Sequence, residues 1–556
     1  MKLVSMLLVI GCTALLGHAQ IAQAQVVGVL RDGVYRFDLD EQSRASAPPT
    51  VVFVDPAARE AMRPVQDRPP SVIPSLAVAD GRFIVSITGE PGTTYYGGSL
   101  GQHRFARNGL ELSPEGRPLP WAIGVRRDGT AFGLLVDGPA PDLVSFDEGI
   151  RIETEGPARP VILIDAPHPA LAAMSLQQTV GSPTIPEKWT FGVHHVLPDG
   201  LEPEQVIAIA DSLRARDVPG DVLWLPSGVA DESLAASVAA RGFHLLSLDD
   251  RPTTLNAPAS AEQFAPPTLL GPDRTLLGWE RAESSADAIA TTLSLGLSGF
   301  PFFGASPADD ATNTRSGWLD AGPMLPLAFG LFPADGVIDE ATQRTLLSRM
   351  VLLPHIYSAA YQAHQVGLPI ARPIMFEHIT TPELRGFTDA FMLGNGLAVS
   401  RTSEPFDPGE STWRRFDLRD AFGGTPPVPG EPTLWLGAGH MVATGPMMER
   451  VDEAPPEPLT IYINLDAKGQ ANGYLYEDAG VGAGYTEQGS LLTIYGARRT
   501  PDGQLQVLRL GDQGERQRYA RTLRAIWLTD DGWFLGEGLD GTPLVIDPEA
   551  AVRVGP

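Results

Sequence analysis

The chain is 556 residues long, with 43% hydrophobic and 19% charged residues and a formal net charge of −26. That length supports roughly three to four domains, and the apolar share is that of folded protein rather than disordered chain. So acidic a surface repels phosphate, which excludes nucleic acid and anionic membrane as partners and leaves a neutral substrate as the expectation.

The opening MKLVSMLLVIGCTALLGHAQIAQAQ carries Lys2, an apolar run from Leu3 to Leu16 and a small-x-small site at Ala22, Gln23 and Ala24. It predicts a secretory signal peptide over 1–24 and an exported product, periplasmic or extracellular. The alternative is a lipoprotein signal, because Val9, Ile10 and Gly11 precede Cys12, the sole cysteine. The apolar run continues past Cys12, which favours the first reading. A chain cut after Ala24 has no thiol, hence no disulfide and no thiolate metal site, and neither metal nor cofactor is expected. No later stretch approaches the ~20 apolar residues of a membrane span.

From Val26 to about Ala173 short alternating segments (RFIVSITG, WAIGVRRDGTAFGLLVDG, GIRIETEG, PVILIDAP) are separated by Gly, Pro and Asp turns, the pattern of a β-sandwich. The clearest hairpin turns at Asp128 and Gly129. Glu41 to Pro74, rich in Pro and Ala, reads as loop or irregular edge.

After Pro186 the period changes. WTFGVHHV, GDVLWLP and FHLLSL read as strands, with helices EPEQVIAIADSLRARD and ESLAASVAARG between them. Such alternation with short links means βαβ units and a parallel sheet. Asp249 to Pro272 breaks the rhythm with Pro, Ala and Thr, after which RTLLGWE, SSADAIATTLSLGL and FPFFG resume it. The stretch Leu293 to Ala305, LSLGLSGFPFFGA, is a helix end, a glycine stop at Gly299 and a strand buried on both faces, so it is the centre of the sheet. Ile338 to Val366 is a long amphipathic helical region interrupted at Pro354, and PIARPIMFEH reads as the last strand. About seven strand candidates stand where a closed (β/α)8 barrel needs eight. The fold class is therefore α/β plus all-β: a shortened or imperfect TIM-type (β/α)8 barrel over 181–380, an N-terminal β-sandwich over 25–180, and two C-terminal β-domains over 381–455 and 456–556, divided at DEAPPEP.

Several segments, in the same order, resemble glycoside hydrolase family 31, the α-glucosidase and α-xylosidase family. SPTIPEKWTFGVHHV is similar to its first barrel strand, LGLSGFPFFGA to its "GLSG-x-x-F-x-G" strand, and LLPHIYSAAYQAHQVGLPIARPIMFE to its "LLPYIY…G-x-P-x-x-RP" helix and strand. FTDAFMLGNGLAVS and ANGYLYEDAG resemble the "D-x-F-M-x-G" strand and the distal "G-x-LYEDDG". The resemblance implies a retaining mechanism in which one carboxylate attacks the anomeric carbon and another protonates the leaving oxygen. It also implies a neutral oligosaccharide or polysaccharide as ligand.

The residues that the resemblance assigns to this chemistry are missing. No "W-x-DMNE" nucleophile strand occurs, and Asp249 to Pro272 is too short to hold its unit. The "W-x-GDN" acid/base loop is absent from RTLLGWERAESSADAIATTL. Ser306 stands where the family has an Asp, Pro226 where an Asp closes the second strand, Phe329 where a sugar-binding Arg belongs, and Leu331 where a His belongs. Each such charge is worth several kcal/mol of barrier, so losing all of them abolishes that mechanism.

Other carboxylates follow the strands: Asp249 and Asp250, Glu280 and Glu283, Asp309 and Asp310. Asp250 and Glu280 are the candidates for a relocated catalytic pair, against the plainer reading of solvated loop acids in a chain with 67 of them. His195, Trp224, Trp279, Ser306 and Trp318 are the candidate sugar-binding residues, the tryptophans by stacking on a pyranose face, although tryptophan at strand ends is more often packing. His194 and His195 are adjacent on a strand, so at most one faces the barrel mouth. Glu477 and Asp478 of YEDAG suggest a turn before a calcium site. The expected function is a carbohydrate-active protein with hydrolysis lost or strongly weakened, a glycan-binding or accessory role; the alternative is an atypical α-glycosidase.

Overall fold

The computed structural model describes residues 20–23, 26–46, 69–99, 104–138, 140–225, 231–247, 259–260, 278–282, 284–307, 320–331, 338–403, 413–451, 456–482 and 489–556. The N-terminal region is a sandwich of two six-stranded antiparallel sheets. Alternation builds it: in Arg82–Thr88 every second residue, Phe83, Val85 and Ile87, is buried against Leu134 and Leu163 of the opposite sheet. The expected hairpin pairs Pro118–Val125 with Ala131–Val136. Its turn is fixed by Asp128, whose carboxylate accepts from the Thr130 amide at 3.0 Å, and by Gly129 at φ +89, where a Cβ would meet Ile379 at 2.9 Å. Residues 20–23, inside the expected leader, pair with Ser75–Ala79, and Glu41–Ser46, expected as loop, is a short helix.

The middle of the chain forms a seven-stranded parallel sheet. Its strands are β1 (Val193–Val196), β2 (Val222–Leu225), β3 (His244–Ser247), β4 (Ala259–Ser260), β5 (Gly278–Ala282), β6 (Phe303–Pro307) and β7 (Leu327–Leu331). The spatial order is β3-β2-β1-β7-β6-β5-β4, so the last strand pairs with the first. That is the closure of a barrel, opened, among the described residues, only between β3 and β4. Helices α1 (Pro203–Ala215), α2 (Glu232–Ala239), α3 (Ser285–Leu297) and α4 (Glu340–Val366) cover it.

Helix α3 is the hinge of the architecture. The Ser284 hydroxyl caps it by accepting from the Asp287 amide at 3.2 Å, and Gly299, at φ +89, lies just beyond its end. Nearly every side of it is buried, because its outer face meets the sandwich: Trp121 Nε1 donates to the Leu297 carbonyl at 3.1 Å and the buried Arg107 donates to Ser294 Oγ at 3.0 Å.

Several expectations are corrected. Pro354 does not interrupt α4, which runs unbroken for 27 residues from the Asp339 cap to Gly367. The segment expected as the last barrel strand, Ala371–Pro373, instead pairs antiparallel with Ala390–Leu393 and opens the five-stranded proximal sheet. The seventh barrel strand is β7, in a segment without strand-like alternation. Finally, TLWLGAGHMVATG is divided: Thr433–Leu436 joins the proximal sheet, while His440–Thr444 joins the nine-stranded distal sheet, so the change of sheet falls at 437–439 rather than at DEAPPEP.

Candidate functional site

In a parallel barrel the loops beyond the carboxyl ends of the strands hold the ligand. Six of the seven such loops lie wholly or partly outside the described residues, at 226–230, 248–258, 261–277, 283, 308–319 and 332–337. Asp250 and Trp318 lie there too, as do Asp249, Glu283, Asp309, Asp310 and Pro226. Trp279, Glu280 and Ser306 are placed by their backbone: Trp279 is level with Gly304, Glu280 with Ala305 and Arg281 with Ser306 on the β5–β6 ladder. Glu280 and Ser306 are thus within one residue of the same height on neighbouring strands.

The β2–β1–β7 wall is described except for the Leu331 side chain, which lies outside the described residues. Strand alternation puts His194, Trp224 and Phe329 on one side, since His194 is level with Val222 and Phe329, and Trp224 lies two residues beyond Val222. All three are buried to within 1%. Their rings pack together, with centroids 4.7 Å apart for His194 and Phe329 and 6.3 Å for Trp224 and Phe329. His194 Nε2 donates to the Thr190 carbonyl at 2.8 Å and its Nδ1 accepts from Trp224 Nε1 at 3.1 Å. Both ring nitrogens are used, so the imidazole is neutral, and burial pushes its pKa down to about 3.

His195, the candidate of the pair, turns to the opposite, helix-covered side. Its Nε2 donates to the Pro219 carbonyl at 2.8 Å, in the link between α1 and β2, and burial lowers its pKa to about 4. Of the two histidines it is therefore His194 that faces inward, and it is held by its neighbours. Trp224 is likewise 1% exposed, with its indole N–H bonded to His194, so packing is its role in this state. Phe329, at the position where the resemblance expects a charged sugar-binding residue, is 0% exposed. Among the described side chains the wall is an aromatic plug, with no nucleophile and no titrating acid or base at neutral pH.

Sequence reasoning missed Arg349, the residue that closes this wall from below. It projects from α4, fully buried, and donates to the carbonyls of Phe191, Pro323, Leu325 and Pro326 at 2.6 to 3.1 Å. Those carbonyls precede β1 and β7, so one guanidinium ties the last strand to the first. Burial lowers its pKa to about 9, still above neutrality, and Asp221 nearby opposes the fall. Asp221 accepts from the Val193 and Val451 amides at 3.3 and 2.8 Å and ties β1 and β2 to the link between the first two strands of the distal sheet, His440–Thr444 and Leu459–Asn464. The only sequence signal for Arg349 is a cation amid the apolar face of a helix.

A second cleft, of about 700 Å³, lies where the barrel meets the C-terminal sheets. It contains three acids, each bonded to an arginine: Asp320 to Arg401 at 3.0 Å, Asp417 to Arg419 at 2.7 Å and Glu431 to Arg344 at 2.7 Å. Burial raises the pKa of Asp320 and Glu431, but carboxylates so neutralised are structural ion pairs rather than a free acid and base. Glu477 and Asp478 are also committed. Glu477 pairs with Arg521 at 2.7 Å, and Asp478 accepts from Tyr357, Tyr476 and the Gly480 amide in a turn.

No family model matches the chain. Glucoamylase 1 of Schwanniomyces occidentalis is 28% identical over 224 residues, 35% of this chain and 23% of that protein. The chain thus matches about a quarter of the length of such curated relatives. Among solved structures, a family 31 alpha-glucosidase from Bacteroides thetaiotaomicron superposes with a TM-score of 0.63 at 20% identity, covering 80% of this chain and 99% of that one. A family 31 dextranase of Flavobacterium johnsoniae, solved with glucose, gives 0.72 at 12% identity, covering 90% and 89%. These likenesses establish the fold, a barrel with flanking β-domains.

Proposed function

We propose that this chain, whose curated relatives and structural neighbours point to glycoside hydrolase family 31, is a carbohydrate-active protein in which α-glycoside hydrolysis is lost or strongly weakened. It retains a glycan-binding or accessory role for neutral oligosaccharides, outside the cytoplasm if the leader is cut. The observation that carries this reading is the β2–β1–β7 wall. Where the resemblance expects a charged residue on a sugar hydroxyl, Phe329 is sealed between His194 and Trp224. A single preorganised hydrogen-bond donor to a transition state is worth about 2.7–4 kcal/mol when removed. Its replacement by a buried ring removes that contribution and also the space for the sugar. The absence of a "W-x-DMNE" strand from the sequence supports the same reading.

The test is turnover of α-glucosides and α-xylosides by the purified chain. The expected result is no release of product above the uncatalysed rate. Turnover abolished by Asp250→Asn or Glu280→Gln would replace the reading with an atypical α-glycosidase that uses that relocated pair.

A further inference from the structure

A cleft of about 240 Å³ lies between α4 and the distal sheet, beside the YEDAG turn. One wall is Lys188, in the helical turn Lys188–Phe191 just ahead of β1, so the cleft is at the amino ends of the barrel strands, opposite the face where chemistry would occur. The Lys188 amide donates to the Gly480 carbonyl at 2.8 Å, which fixes the two walls relative to each other.

The floor is polar and prearranged. Asp478 accepts from Tyr357 Oη at 2.8 and 2.9 Å, from Tyr476 Oη at 2.8 Å and from the Gly480 amide at 2.7 Å, which fills its lone pairs. Both phenols therefore point their protons at Asp478; Tyr476 Oη also accepts from the Ser490 side chain, and Tyr357 Oη keeps an acceptor lone pair for another donor. Burial and the carboxylate raise their pKa values, so they remain phenols. Tyr361 stacks on Tyr476 at 3.9 Å and holds that ring still.

The rim has the opposite character. Tyr519 is 44% exposed and Val481 58% exposed, large apolar groups left open at the mouth of a polar cleft. Arg516 Nη2 donates to Tyr519 Oη at 3.1 Å, and among the described residues no carboxylate pairs with its guanidinium, whose other N–H groups are donors. An open aromatic ring, a planar donor beside it and one oriented acceptor, Tyr357 Oη, at the floor suit a pyranose, with its apolar C–H face and its ring of hydroxyls.

We infer that this cleft is a second glycan-binding subsite, remote from the barrel mouth, that takes one hexose unit of a glycan chain on Tyr519 and Arg516. The sugar class rests on the reading above, whereas the site does not depend on whether the barrel hydrolyses or binds anything.

The test is calorimetric titration of the full chain with maltotriose and isomaltotriose, with thermal melting as a folding control. Tyr519→Ala and Arg516→Ala should each weaken binding roughly tenfold, the order of one stacked ring or charge-assisted hydrogen bond. Tyr519→Phe, which keeps the ring, should weaken it less, and Trp318→Ala in the barrel loop should leave this component unchanged. Binding that Tyr519→Ala does not alter, or that Trp318→Ala alone removes, overturns the inference and leaves the barrel reading standing. No binding of either trisaccharide also overturns it, while the turnover assay still judges the barrel separately.

Discussion

The barrel has two junctions that differ in how they are made. At the β7–β1 seam four consecutive residue pairs, Val193 with Ala328 through Val196 with Leu331, are in register. Arg349 locks the same seam from below by donating to four carbonyls. Between β3 and β4, among the described residues, no ladder joins His244–Ser247 to Ala259–Ser260. The seam is maintained by packing and buried hydrogen bonds, whose loss costs folding stability. The open junction is where the resemblance places the unit that supplies the nucleophile. Catalytic acids commonly oppose folding stability, so on the reading proposed above selection maintains the seam and no longer maintains acids near the junction.

The contrast is broken most severely at Arg349. Replacing it with Met leaves four buried carbonyls without donors, so urea denaturation should give a loss of about 5 kcal/mol. A loss under about 1 kcal/mol would mean that the seam does not depend on it.

Next comes pH. His194 and His195 have folded pKa values lowered to about 3 and about 4 from 6.5. Below 6.5 the unfolded chain takes up protons that the folded one refuses, so stability falls as pH drops through the window from 6.5 towards 4. From pH 7 to pH 5 each histidine should contribute a loss of roughly 2 kcal/mol. His195→Gln should flatten the slope measured by denaturation at a series of pH values; an unchanged slope would exclude it as a source.

An effect of the same order is expected at the plug. Phe329→Arg, which restores the residue type the resemblance expects, buries an unpaired charge and should cost about 3 kcal/mol without creating turnover. Detectable hydrolysis by that variant would show that one side chain, and not the whole site, had been lost.

The smallest effect belongs to the two candidate acids, Asp250 beyond β3 and Glu280 on β5. Asp250→Asn and Glu280→Gln should each stay within about 0.5 kcal/mol of the parent in denaturation, as solvated acids do. A larger loss would mean that one of them is bound into the fold.

The sandwich and the βαβ alternation were legible because period and glycine stops are local signals, whereas β4, Ala259–Ser260, lies inside the stretch Asp249 to Pro272 that was expected to break the rhythm. The central stretch Leu293 to Ala305 was legible for the same reason, and the structure gives it a further task in joining barrel to sandwich through Trp121 and Arg107. What was hidden depends on pairing. Ala371–Pro373 and Leu327–Leu331 are both short apolar segments, and only their partners decide which belongs to the barrel. At the site, alternation said that one of His194 and His195 faces inward, but choosing between them needs the register against Val222 and Phe329. Arg349 was missed because its four acceptors come from segments 23 to 158 residues away.

The claim that the scaffold survives without its chemistry is tested most directly by trapping. A fluorinated α-glucosyl fluoride leaves a long-lived glycosyl-enzyme on any retaining carboxylate nucleophile. Intact-mass spectrometry of the chain after exposure should show the unmodified mass alone. A single added fluorohexosyl unit, formed with loss of the anomeric fluoride and mapping to Asp250, Glu280 or another carboxylate, would contradict the account and identify the nucleophile.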